Sequence, residues 1–278
     1  MLSIVLQLYN LRDELAQDFA GTLQRIAGLG YKYAELAGLY GRTPGEFKAG
    51  LDRAGLTAIS AHVPYREMAA DPEKVIGNYI TIGCKYIAIP YLNEEDRSTG
   101  LHYEEVKQEI ARLGETANKL GAVLLYHNHD FEFRRYKGKY ALDDLYDSIP
   151  PRLLQTEIDT CWAKVGGVDP GEYIRKYTGR APVVHLKDFY ISGGPDSEDL
   201  YELIGSEKKA DPRAGGNFEF RALGDGLQDI PAILKASQEA GASWVVVEQD
   251  RPTPGKTPLE CARDSINYLK SLGIGTLT

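Results

Sequence analysis

Residues 119–132 read Lys-Leu-Gly-Ala-Val-Leu-Leu-Tyr-His-Asn-His-Asp-Phe-Glu. A polar, amphipathic stretch stops at Gly121, an apolar run follows at once, and the run ends in two histidines and two acids. Glycine adopts the left-handed backbone that closes a helix, so Gly121 marks a helix end and frees the chain to enter a strand. The same join recurs at Gly30, Gly55, Gly83 and Gly241. The apolar runs are near-continuous rather than alternating, as in parallel strands covered by helices on their outer face. Helix starts are marked by Thr43-Pro44, Asp71-Pro72, Asp169-Pro170 and Thr257-Pro258, each a capping side chain before a first-turn proline. This reading predicts strands over 2–8, 31–37, 56–62, 84–90, 122–129, 153–159, 182–187 and 243–248. Helices are predicted over 18–29, 44–54, 72–82, 102–120, 140–148, 170–178, 228–240 and 258–272.

Eight β/α units in 278 residues suit one α/β domain, a (β/α)8 TIM barrel spanning 1–278. An open doubly wound sheet usually carries a glycine-rich phosphate loop after its first strand. Here that position reads Gln7-Leu8-Tyr9-Asn10-Leu11-Arg12-Asp13, without glycine. The long connection 189–226 follows the seventh strand and is expected on the active face.

The formal charge of −8 disfavours nucleic acid and anionic membranes as partners. Cys84, Cys161 and Cys261 are scattered, and no long apolar stretch opens the chain. The expectation is a cytoplasmic protein with reduced thiols and no membrane span, a homodimer being the default assembly.

Barrel enzymes draw their chemistry from the C-terminal ends of several strands. Four of the five histidines fall there: His62, His127, His129 and His185. Glu35, Glu157, Asp159, Lys187, Asp188, Glu248 and Asp250 join them. Asp159, His185 and Glu248 come from consecutive strands, so their ends can surround one ion. Two carboxylates and an imidazole suit Mn, Mg, Zn, Co or Fe as a divalent cofactor. His127, His129 and Glu132 all offer a fourth ligand from strand five. Lys187, two residues after His185, faces the same interior and either stabilises developing negative charge or pairs with Asp159 or Glu157. His62, His127, His129 and Trp162 are expected to bind substrate, Trp162 as a wall for a sugar face.

Several of these stretches together carry a resemblance. Tyr126-His127-Asn128-His129-Asp130-Phe131-Glu132-Phe133 is the most distinctive, with Ser60-Ala61-His62, Glu157-Ile158-Asp159-Thr160-Cys161-Trp162, His185-Leu186-Lys187-Asp188 and Leu223-Gly224-Asp225-Gly226. The chain resembles the xylose isomerase-like barrel superfamily, in its sugar phosphate isomerase/epimerase branch, with inosose dehydratase-type relatives. The resemblance implies a metal held by Glu, Asp, His and Glu from strands five to eight. Asp159, His185 and Glu248 match the last three positions. Strand five departs: many relatives have Glu-Asn-His where this chain has His127-Asn128-His129. Either His127 takes the ligand position or Glu132 reaches back to it.

The chemistry expected is proton abstraction beside a carbonyl of a small sugar, keto sugar or sugar phosphate. Glu248 or Glu132 is the base, and Lys187 steadies the developing charge. Isomerase or epimerase is the first expectation. A dehydratase or lyase acting on a keto-polyol or keto-glycoside is the alternative. A third class is a non-catalytic sugar-binding barrel subunit. Phosphodiester cleavage fits poorly with the acidic balance.

Overall fold

In the computed structural model, which describes residues 2–191 and 218–275, eight parallel strands close into a barrel. In chain order they are Ser3–Gln7, Tyr33–Ala37, Thr57–His62, Tyr86–Ile89, Val123–His127, Gln155–Asp159, Val183–Leu186 and Trp244–Val247, hereafter strands one to eight. Each pairs with its sequence neighbours, and strand one closes the ring on strand eight with Val5 opposite Val246. The eight main helices follow the sequence reading closely, from Phe19–Gly28 to Pro258–Ser271. Short helices at Arg12–Gln17, Tyr65–Ala70 and Thr160–Val165 were not expected, because one or two turns carry no readable period. Most of the connection 189–226 lies outside the described residues; at its ends Asp188–Ile191 pairs antiparallel with Phe218–Arg221.

The local signals act as their chemistry requires. Thr43 accepts a hydrogen bond from the Glu46 N–H while Glu46 reaches back to the Thr43 N–H, and Thr257 with Glu260 does the same. Each such cap contributes about 1 kcal/mol. Gly55 ends its helix at φ +74°, a conformation that strains any residue with a Cβ.

Period-two alternation divides the side chains of each strand. Outward residues such as Leu124, Tyr126, Ile158, Val184, Leu186, Val245 and Val247 pack into the main core. Inside the barrel, Val5, Ile59, Ala88, Leu125, Val183 and Val246 form a second apolar cluster. Two residues further along strands five, seven and eight stand His127, His185 and Glu248. The apolar cluster is thus a floor, and the polar groups above it are lifted to one end of the barrel. Among the described residues no helix is long and apolar enough to cross a membrane.

Candidate metal centre

Two polar constellations stack above this floor, sharing His185. The upper one is His127, Asp159, His185 and Glu248, whose potential donor atoms all lie within 4.8 Å of one another. His127 Nε2 is 3.4 Å from Asp159 Oδ2 and 3.6 Å from Glu248 Oε2, and His185 Nδ1 is 3.0 Å from Glu248 Oε2. The lower one is Glu35, His62, Glu157 and His185. There, His62 Nε2 is 2.7 Å from Glu157 Oε2 and 3.2 Å from Glu35 Oε1, and His185 Nε2 is 2.7 Å from Glu35 Oε1.

These distances distinguish the layers. Ligand bonds of about 2.0–2.2 Å in a tetrahedral array leave neighbouring ligand atoms about 3.3–3.6 Å apart. The two His127 spacings fall there, while His185 Nδ1 and Glu248 Oε2 at 3.0 Å are hydrogen-bonded. In the lower layer His62 Nε2 and Glu157 Oε2 share a hydrogen bond at 2.7 Å, and His185 Nε2 is ion-paired with Glu35 Oε1 at the same distance. His127 Nε2 and Asp159 Oδ2 in the upper layer, like His185 Nε2 and Glu157 Oε1 in the lower, are buried without an aligned hydrogen bond, and Lys187 Nζ stands 3.3 Å from Asp159 Oδ2. The donor set of two carboxylates and two imidazoles fits a divalent ion of the Mn, Fe, Co or Zn type.

His127 is prepared for this place. Its Nδ1 lies 3.2 Å from the Pro90 carbonyl, which can only accept, so Nδ1 carries the proton and Nε2 faces the cluster. Burial works against a charged His127 ring, but Asp159 and Glu248 outweigh it and hold its pKa at about 9. A divalent ion bound here would take the place of the Nε2 proton. On the other ring, Nδ1 of His185 faces Glu248 while Nε2 faces Glu35 at ion-pair distance, off the axis of an aligned hydrogen bond. Glu35 is itself held by Gln7 Nε2 at 2.7 Å and by the Ser60 hydroxyl. Burial opposes protonation of His185, yet Glu35 and Glu157 keep its pKa well above the ordinary value.

Two asparagines set the strand ends. Asn128 accepts from the Asp159 N–H at 3.0 Å and donates to the Asp159 carbonyl at 3.2 Å. Asn10 accepts from the Gln249 N–H at 3.0 Å and donates to the Val247 carbonyl at 3.4 Å, bracketing Glu248. Each side-chain amide replaces a strand's peptide just past the end of the ladder, so both carboxylates are fixed from the backbone side.

Glu132, expected among the ligands and as a base, stands outside the constellation. Its Oε1 accepts from the Tyr126 hydroxyl and its Oε2 from the His129 N–H, both at 2.7 Å. Tyr126 precedes His127 on the strand and therefore points outward, and Glu132 follows it into the layer behind the barrel wall. Burial pushes the Glu132 carboxyl up to about 7 against those two donors. The strand-five group in the constellation is His127, which was also expected to contact substrate.

The other expected residues lie nearby. Lys187 Nζ is 2.9 Å from Glu248 Oε2, 3.3 Å from Asp159 Oδ2 and 3.2 Å from Asp250 Oδ2. Burial opposes its charge, but Asp159, Asp250 and Glu248 hold its pKa well above the usual range. In turn, burial would protonate Glu248, yet Lys187 and the two imidazoles keep it well below the usual carboxylate range. Trp162 is buried against Phe218 and Phe220, with the His129 ring 5.4 Å away. His129 stacks on Phe131, and its Nδ1 has no hydrogen-bond partner. Burial, then His127 and Lys187, push the His129 pKa well below the ordinary value, so the ring is neutral. His62 bonds Glu157 and keeps an 11% exposed side chain, whereas Glu35, Glu157 and His185 have none.

Asp188 explains the Leu223-Gly224-Asp225-Gly226 motif. Its carboxylate accepts from the N–H groups of Phe189, Gly224, Gly226 and Gln228 and pins that loop to the end of strand seven. A Cβ on Gly226 would lie 2.1 Å from Asp188 Oδ1, so the close approach requires glycine. Sequence reasoning missed Phe218 and Phe220, which lie beyond a long insertion, and the Pro90 carbonyl, a backbone group with no side-chain signature.

A sequence profile described as the xylose isomerase-like TIM barrel matches residues 23–272. The chain belongs to this family. An inosose dehydratase from Geobacillus kaustophilus is 25% identical, over 94% of this chain and 89% of the relative. One from Lacticaseibacillus casei is 24% identical, over 90% and 88%. Among solved structures, a sugar phosphate isomerase/epimerase from Parabacteroides distasonis superposes with a TM-score of 0.75 at 25% identity. That superposition covers 97% of this chain and 94% of the other. These xylose isomerase-like relatives are enzymes, of both lyase and isomerase type.

Proposed function

We propose that this chain is a divalent-metal-dependent dehydratase of a small keto-polyol or keto sugar, which removes a proton beside the carbonyl and expels the β-hydroxyl. The observation that carries the reading is the strand-five position. Moving a proton between two carbons, or between two faces of one carbon, is served best by a carboxylate on each side of the substrate. Here one side offers Glu248, and the other offers His127, whose Nδ1 is committed to the Pro90 carbonyl. Elimination needs one base and one acid.

His127, Asp159, His185 and Glu248 would hold the ion, which supplies Lewis acidity toward the substrate carbonyl. Glu248, kept ionised by Lys187 and His185, takes the carbon-bound proton. The fixed charge of Lys187 stabilises the negative charge that develops on substrate oxygen. His62, backed by Glu157 and open on one edge, delivers a proton to the departing hydroxyl, which leaves as water. His129, neutral and buried beside Trp162, shapes the wall of the substrate site. The inosose dehydratase relatives support this reading.

The second reading is an isomerase or epimerase on the same intermediate, favoured by the likeness to the Parabacteroides distasonis structure. The test is incubation of Mn²⁺-, Co²⁺- or Zn²⁺-loaded protein with a panel of keto-polyols and keto sugars in D₂O, followed by mass spectrometry. A product lighter by one water supports the dehydratase. Deuterium gain without water loss supports the isomerase. Wild type no different from Asp159→Ala on every substrate would sink both.

A further inference from the structure

Lys187 sits on the oxygens that a metal would use. Its Nζ is 2.9 Å from Glu248 Oε2 and 3.3 Å from Asp159 Oδ2. These are the two oxygens that His127 Nε2 faces at 3.6 and 3.4 Å. An ammonium and a divalent ion attract the same lone pairs and repel each other, so both cannot hold them at full strength. A second seat lies alongside: Asp250 Oδ2 is 3.2 Å from the same Nζ, and Asp250 belongs to neither four-residue constellation. Trp162 and Phe220 lie 5.4 and 5.7 Å from Nζ and offer ring faces along which a cation can shift.

Charge balance points the same way. Asp159 and Glu248 neutralise a divalent ion held with two neutral imidazoles. Lys187 then needs one further negative charge, and Asp250 supplies one. Resting on the metal site proposed above, we infer that Lys187 is a resident cation that competes for the metal carboxylates, and that Asp250 is the seat to which it withdraws when the ion enters. Lys187 stays charged throughout; it keeps the hydrogen bond it already donates to Asp250 and gives up the two metal carboxylates. Asp250 is therefore a positioning residue. It keeps the lysine close to the substrate while clearing it from the ligand oxygens.

The experiment measures Zn²⁺ and Co²⁺ dissociation constants by competition with a chromophoric chelator. The proteins are stripped wild type, Lys187→Met, Asp250→Asn and the double variant. Lys187→Met should bind roughly 10- to 100-fold tighter, the range of ordinary coupling between two sites. Asp250→Asn should bind about 10-fold weaker or worse, because the lysine has lost its seat. In the Lys187→Met background the Asp250→Asn loss should shrink to a small fraction of that value. If Lys187→Met fails to fold without metal, Asp250→Asn still decides: wild-type affinity in that variant overturns the inference. An equal Asp250→Asn loss in both backgrounds also overturns it, since Asp250 would then act on the ion directly. Wild type that binds normally while Lys187→Met binds no tighter defeats this inference alone. No binding by any of the four proteins defeats it together with the proposed function.

Discussion

Replacing Glu132 with glutamine should change how stability depends on pH. The Glu132 carboxyl is buried, with Tyr126 and the His129 N–H as its donors, and its pKa stands at about 7 against an ordinary 4.5. In the unfolded chain it ionises near the ordinary value. Below that pH the group is protonated in both states and favours neither. As the pH rises, the unfolded state ionises first, so the equilibrium is drawn toward unfolding, and the loss is complete once the pH passes the folded pKa. At roughly 1.4 kcal/mol per pKa unit the full effect is about 3 to 4 kcal/mol, of which about 2 to 3 kcal/mol falls between pH 5 and pH 8. Glutamine keeps the shape but does not titrate. It also gives up one of the two accepted hydrogen bonds, which shifts stability by a constant amount at every pH. The assay is urea unfolding of wild type and Glu132→Gln in chelator at several pH values, taking the difference at each. That difference should move by about 2 to 3 kcal/mol in favour of the variant from pH 5 to pH 8. Parallel curves would mean that Glu132 ionises normally, and that its burial and bonding behind strand five have been misread.

Other outcomes follow from the same geometry. His127→Ala removes a proposed ligand and should weaken divalent-metal binding by more than roughly 100-fold, beyond the 10- to 100-fold typical of outer partners; wild-type affinity there, with loss in Glu132→Ala, would return the ligand to Glu132. Glu35→Gln leaves the ligands intact but loosens the ring of His185, so metal affinity should fall by roughly 10- to 100-fold with little change in melting temperature; calorimetric titration checks it, and unchanged affinity would make Glu35 structural only. Gly226→Ala forces a methyl onto the Asp188 carboxylate. It should cost at least about 2 kcal/mol in chemical denaturation, and a cost under about 0.5 kcal/mol would show that the Asp188 anchor yields easily.

Much of the molecule is legible in the chain because its signals are local. Gly55 and Gly83 end helices where only a left-handed backbone continues, and Thr43, Asp71, Asp169 and Thr257 open them with a side-chain acceptor. Those two signals bracket the strands to within a residue or two. The strands in turn fix by alternation that His185 looks inward and that Leu186 and Val247 look out. The family's motif adds that strand five contributes to the site. The short helices at Tyr65–Ala70 and Thr160–Val165 escape because they are shorter than the period that would reveal them.

The sequence by itself therefore determined the eight-unit barrel and the convergence of Asp159, His185 and Glu248 at one end of it. It left strand five open, because His127 and Glu132 are equally suitable donors by chemistry. Tertiary structure puts His127 in the cluster with Asp159, His185 and Glu248, and Glu132 behind the barrel wall. Alternation holds only while the chain is a strand, and past His127 the backbone turns into a short 3₁₀ helix whose direction is set by Tyr126 and by packing behind the wall. The proton on Nδ1 of His127 is placed by the Pro90 carbonyl, from another strand's end. The spacing of His127 Nε2 from Asp159 and Glu248, against the closer His62–Glu157 and His185–Glu35 contacts, depends on differences of less than 1 Å across the barrel. Such distances follow from strand tilt and ring closure, which are properties of the whole sheet rather than of any stretch within it.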